Sequence, residues 1–249
     1  MLDVLNNNEI EQLRPFRLST EEKESELSIA FNEILDDRAM LRYLEQVGAH
    51  IGSPNLKVTA SIFVKRYAFL AVIYLYGITV WNKKINTSFN NIRFQTNEAE
   101  ETWLPEFYFY STKIEIAQEN RYIWRERALK DFFCENAHVL IEQLSKVTKQ
   151  SKLILWENIA IYMFWLYESV LQKLEDKELR NQAKEDFHYL VYETSGSLFG
   201  NDHENPIKRL HTNKKYVEHL QAEVRIRTTC CFSYLLDGAP KRCKTCIGK

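Results

Sequence analysis

The sequence predicts an α+β fold, predominantly α-helical, with a small antiparallel sheet around residues 88–117 and a cysteine-bearing C-terminal tail. Three observations predict it. Apolar residues recur at helical spacing over 36–47, 58–80 and 120–192. After Trp81 the pattern changes to alternation and dense aromatics. Gly (7) and Pro (5) are scarce among 249 residues, which speaks against a many-stranded β fold with its tight turns. With 45% hydrophobic and 27% charged residues the chain reads as globular rather than disordered. Its length allows one large domain or two small ones, and a core that needs neither disulfides nor a structural metal to fold.

The elements follow in order. Ser19-Thr-Glu-Glu22 has capping-box spacing, and Leu27, Ile29, Ala30, Phe31 and Ile34 after it predict a first helix. A second follows Asp36-Asp37, with Met40, Leu41, Leu44 and Val47 on one face and Gly48 near its end. Ser53-Pro54 restarts the chain, and Val58 to Val80 reads as a long buried helix with a break at Gly77. Asn91 to Gln95, Trp103 to Tyr110 and Lys113 to Ile116 supply the sheet. Helical pieces over 120–146, 152–175 and 177–193 come next, then a loop over 195–206, then a helix from Pro206 to Val224.

The start of the chain has neither a basic region nor an apolar core, so a signal peptide is not expected. The apolar runs Phe69–Val80 and Ile159–Tyr167 are shorter than the roughly 20 residues of a membrane span and read as buried core helices. A cytoplasmic protein is expected. Charge is uneven: residues 207–249 carry ten basic and three acidic side chains, a net of +7, and the remainder carries 23 and 31, a net of −8. A basic tail on an acidic body can meet an anionic ligand or dock on that body. The overall charge of −1 gives no reason to expect nucleic acid.

Cys230, Cys231, Cys243 and Cys246 fall within seventeen residues, whereas Cys134 stands alone as a small core residue. In a reducing compartment clustered thiols point to a metal rather than to disulfides. Four thiolates suit zinc or an iron–sulfur cluster. Structural zinc sites space paired ligands by about two to four residues. The vicinal Cys230-Cys231 departs from that, and the backbone must bend for both side chains to reach one centre. Spacing alone leaves zinc and iron–sulfur open, and a catalytic dithiol comes third for want of a thioredoxin-like context. The six histidines are scattered and none is expected to ligate metal. No glycine-rich phosphate loop is present.

The tail Arg225-Ile-Arg-Thr-Thr-Cys-Cys-Phe-Ser-Tyr234, closed by Cys243-Lys-Thr-Cys246, resembles the C-terminal signature of the FhuF-like ferric-siderophore reductases. Ala60-Ser-Ile-Phe-Val-Lys-Arg-Tyr67, Trp103-Leu-Pro105 and Leu155-Trp-Glu-Asn158 are similar to elements of that family's body. The spacer between the cysteine pairs is eleven residues here, one longer than the family's usual length, and Ile247 stands where a proline is often found.

The resemblance implies a siderophore-binding, helical body over 1–224 and a [2Fe–2S]-binding segment over 225–249, with Cys230, Cys231, Cys243 and Cys246 as ligands. It implies one-electron reduction of cytosolic Fe(III)–siderophore complexes, hydroxamate or carboxylate in type. Fe(II) is then released because hard oxygen donors hold it weakly. Electrons would come from a separate donor such as a ferredoxin, flavodoxin or reductase, and peripheral membrane association beside an importer stays open. Beyond the cluster no catalytic residue is expected. Arg225 and Arg227 are the first candidates to touch the substrate, and Lys65 and Arg66 the second. Each has a structural alternative: pairing with body carboxylates, tuning the cluster, or ion pairing at a helix surface. Trp156 and Asn158 read as core residues. Two other functions compete: a zinc-binding interaction module, and a siderophore-binding protein related to the C-terminal regions of siderophore synthetases.

Overall fold

In the computed structural model, which describes residues 3–96, 102–118, 120–200, 204–238, 242, 243, 245 and 246, the chain opens with α1 (Asn7–Leu13). Asn6 caps it and Glu9 reaches back to the cap backbone. The first helix expected over 19–34 does not form. Leu18–Ser19 and Ile29–Ala30 are instead short strands, β1 and β2. The Ser19 hydroxyl turns the chain locally, accepting from Glu21 N and donating to Glu21 O. Gln95, from another part of the chain, then donates to Ser19 and Glu21 O and accepts from Lys23 N. These long-range bonds override the local capping signal.

Helix α2 (Asp37–His50) starts at Asp36, whose side chain accepts from the amides of Arg38 and Ala39. Helix α3 (Leu56–Trp81) runs without the break expected at Gly77. Gly77 serves a close approach, since a Cβ there would lie 3.0 Å from the Lys83 carbonyl oxygen. By length and composition α3 is apolar enough to cross a membrane, yet 83% of its most apolar window is buried inside the fold. It is the central core helix and packs along α6 (Lys152–Trp165).

The sheet is larger than expected. Strands β4 (Ile92–Gln95) and β5 (Glu106–Phe109) pair antiparallel; β2 joins β4 antiparallel and β1 joins β5 parallel. Phe94 and Phe107 face each other across the β4–β5 pair and stack at 5.0 Å, which seats the sheet on the helical core. A separate antiparallel pair joins β3 (Lys83–Ile85) to β6 (Ile114–Ile116).

Helix α4 (Arg121–Phe132) widens into a π turn over Phe133–His138 and continues as α5 (Val139–Thr148). Cys134 sits on that turn, half-buried rather than in the core. A second π turn, Leu166–Val170, extends α6. Helix α7 (Lys177–His188) follows, and a third π turn, Tyr189–Glu193, ends it. The helix expected from Pro206 to Val224 is replaced by a short 3-10 turn, Lys208–Leu210, and a hairpin of β7 (Lys215–Val217) and β8 (Ala222–Val224). The fold is thus α+β and predominantly helical.

Candidate functional site

The tail is anchored by polar groups buried in the two central helices. Asn158 on α6 has no exposed surface; its amide donates to Ser61 O at 2.8 Å and to Ser61 Oγ at 3.0 Å, both on α3. Its Oδ1 accepts from Arg227 Nη2 at 2.7 Å. Ser61 Oγ in turn donates to the Cys231 carbonyl at 2.9 Å.

Beside Asn158, Glu157 is 1% exposed. One of its oxygens accepts from Thr228 N at 2.5 Å and Thr228 Oγ1 at 2.7 Å; the other accepts from Thr229 N at 2.8 Å and from Thr229 Oγ1. Arg227, 5% exposed and 3.4 Å away, balances its charge. A buried carboxylate is stable only when so compensated. Arg227 also donates from Nε to Thr229 O, and its backbone N–H donates to Thr245 O at 3.0 Å. One arginine therefore ties the first cysteine pair to the second.

The bend required at the vicinal cysteines lies at Phe232, whose φ of 62° and ψ of 8° are left-handed. That turn lets Phe232 N–H donate back to Cys230 Sγ at 3.4 Å. Farther on, Asp237 N–H donates to Gly52 O. Gly52, at φ +61°, has no room for a Cβ, which would come within 2.4 Å of Asp237. Ala239 and Pro240, in the spacer between the cysteine pairs, lie outside the described residues, as do Lys241, Lys244 and Ile247.

The four sulfurs stand as two near pairs. Cys231 accepts a hydrogen bond from the Cys243 thiol, and Cys230 is in hydrogen-bonding contact with Cys246. None of the cysteines is disulfide-bonded. Among the described residues no three His, Cys, Asp or Glu side chains gather as a single-ion site. The Cys243 bond brings the Cys231 pKa well below that of an ordinary thiol. Burial opposes this, and the Lys65 ammonium and Ser233 donors reinforce it. Sharing that proton pushes Cys243 up. Arg242 Nη1 donates to Cys246 Sγ at 3.6 Å. The arrangement offers soft thiolates under positive charge, which can hold a soft metal ion or cluster.

Of the four basic candidates, Lys65, Arg66 and Arg227 lie close enough that Lys65 feels the charges of the other two. Lys65, depressed by burial, feels the charges of Cys231 and Cys243; Arg66 hydrogen-bonds Tyr162 and also senses Cys231. Arg227 lies under the tail. Arg225 lines an open groove of about 510 Å³ together with Phe69, Tyr162, Trp165, Lys214 and Thr245. Glu168, on the π turn after α6, organises one rim, taking His211 at 2.9 Å, Lys214 at 2.8 Å and Arg225 as partners. His211 precedes the hairpin and bonds Tyr192 at 2.6 Å.

Sequence reasoning missed Ser61 and Glu157 and treated Asn158 as ordinary core. The available signal was a charged and an amide residue side by side between Leu155-Trp156 and the apolar run Ile159–Tyr167. The chain matches no protein-family model and no curated protein sequence.

Proposed function

We propose that this protein is a cytoplasmic one-electron reductase of Fe(III)–siderophore complexes, with Cys230, Cys231, Cys243 and Cys246 holding a [2Fe–2S] cluster. The observation that carries the reading is the grouping of the four thiols into two pairs. A [2Fe–2S] rhomb takes two thiolates at each iron, whereas structural zinc gathers its four ligands about a single ion. Donors aimed at sulfur, from Phe232 N, Ser233 Oγ and Arg242, suit a cluster whose charge grows more negative on reduction. When bound, the cluster would supply a single electron.

The chain's own residues then have three tasks. Glu157, Asn158, Ser61 and Arg227 fix the backbone that carries the thiols. Lys65, Arg66 and Arg242 place positive charge around them. The surface beside them receives the ferric complex, of hydroxamate or carboxylate type. No bond to the chelator is made or broken by a side chain, so no general base is needed: one electron from a ferredoxin, flavodoxin or reductase converts Fe(III) to Fe(II), and the oxygen ligands release it.

The test is a visible spectrum of anaerobically purified protein, with iron, sulfide and zinc analysis of the same sample. Sulfur-to-iron charge-transfer bands that bleach with dithionite, and iron release from ferric siderophores, are the expected results. Colourless protein with stoichiometric zinc, unchanged after iron–sulfide reconstitution, would replace the reductase with a zinc-binding interaction module.

A further inference from the structure

The 3-10 turn Ser233–Leu235 follows the vicinal cysteines almost at once. Phe232 and Leu236, at its two ends, pack against the helical core. Between them the turn has no buried residue: Tyr234 is 36% exposed and Leu235 39%. The left-handed backbone at Phe232 therefore does more than bend the cysteine pair, since it also leads two large apolar side chains out to solvent beside it. Arg242, one residue before Cys243, is exposed; its guanidinium stands 4.7 Å from the centre of the Tyr234 ring and donates to Cys246 Sγ. None of the three lines the groove of Arg225, so the tail presents a second, separate surface.

That surface is basic as well as apolar. Residues 225–249 carry six basic side chains and one acid, Asp237, whose carboxyl lies against Gly52. Salt screens exposed charges beyond about 10 Å at 0.1 M. A protein that meets the tail thus feels this face rather than the acidic remainder of the chain. Cys230 and Cys243 are only half-buried. Electron exchange slows steeply with distance, so a protein partner must dock where the sulfurs come near solvent. Two apolar side chains and one guanidinium make a small patch, and redox encounters use the smallest specific interfaces, below about 1,200 Å².

We propose that Tyr234, Leu235 and Arg242 form the docking surface for an acidic one-electron carrier protein. The inference rests on the reductase reading for the centre that receives the electron. Carboxylates of the carrier meet Arg242, and its apolar contacts cover Tyr234 and Leu235. The reduced carrier gives up one electron and the centre on the four sulfurs gains it; no bond forms or breaks.

The probe is an acidic plant-type [2Fe–2S] ferredoxin. In calorimetry against the full-length protein as purified, it should bind saturably at low salt, and about 0.5 M salt should weaken binding at least ten-fold. Leu235→Glu should weaken binding at least five-fold and slow reduction by the reduced ferredoxin by a similar factor, with iron content and visible spectrum unchanged. Leu235→Lys should bind at least as tightly as wild type. Tyr234→Glu and Tyr234→Lys repeat the comparison if Leu235→Glu fails to fold. Absence of binding, binding indifferent to salt, or equal loss in the Glu and Lys variants would each overturn the proposal. Protein that binds ferredoxin with this charge dependence yet takes up no cluster on reconstitution would keep the surface and discard the reductase.

Discussion

Asn158 Oδ1 accepts a hydrogen bond from Arg227 Nη2 at 2.7 Å, with both residues buried, and this contact joins the core of the helical body to the cysteine tail. Because the same amide grips Ser61, which holds the Cys231 carbonyl, one side chain spans α6, α3 and the tail. Asn158→Ala leaves Arg227 and Ser61 short of partners and should destabilise the protein by about 1–3 kcal/mol. The tail should loosen first. Thiol labelling of the metal-free protein should speed up at Cys230 and Cys231 more than at Cys134; uniform acceleration would show that Asn158 supports the whole core instead.

Glu157 is the more severe site. Its carboxylate, itself 1% exposed, meets four donors from Thr228 and Thr229 and the charge of the buried Arg227. Removing one member of a buried ion pair costs about 3–5 kcal/mol because the other charge is stranded. Glu157→Gln should approach that loss in urea denaturation. Glu157→Gln with Arg227→Gln should lose less than the two single variants added together. Strict additivity would mean that the two groups do not act as a pair.

How far these features could be read from sequence depended on the range of the interactions that make them. Helices α2, α3 and α6 were legible because apolar spacing alone buries them. The strands at Leu18 and Ile29 were not: Ser19 through Glu22 carries a capping pattern, and only Phe94, Phe107 and Gln95, 65 or more residues away, draw the segment into a sheet. The β7–β8 hairpin is short, and its exposed residues offer little alternation to read. Four cysteines announce themselves by spacing. Glu157 and Ser61, which position them, sit in apolar helices and acquire meaning only once the tail folds back. The groove is drawn from α3, α6, β8 and the tail, so no local pattern encodes it.

The cysteines can be told apart by metal content. Cys243→Ser removes the partner of Cys231 and one member of the proposed ligand set. It should lose most bound iron and the visible bands, with iron release abolished. Cys134 lies on the π turn of α4–α5, where its polar neighbours are Glu135 and Lys130. Cys134→Ser should keep both iron and activity. Equal loss in the two variants would remove the tail from the ligand assignment.

Glu168 gives the groove rim a dependence on pH. Burial opposes its ionisation, but hydrogen bonds from His211 and Lys214 and the charge of Arg225 outweigh burial and bring its pKa down to about 2 from an ordinary 4.5. A carboxyl lowered by folding stabilises the native state above its unfolded pKa, and that contribution is lost as pH falls through the folded value. Wild type should therefore exceed Glu168→Gln in stability by a constant margin above about pH 4.5, and the margin should shrink steadily toward about pH 2. Other carboxylates titrate in the same window, so the readout is the difference between the two urea midpoints at each pH. A margin that does not change with pH would mean that Glu168 contributes through packing and neutral hydrogen bonds, not through its charge against Lys214 and Arg225.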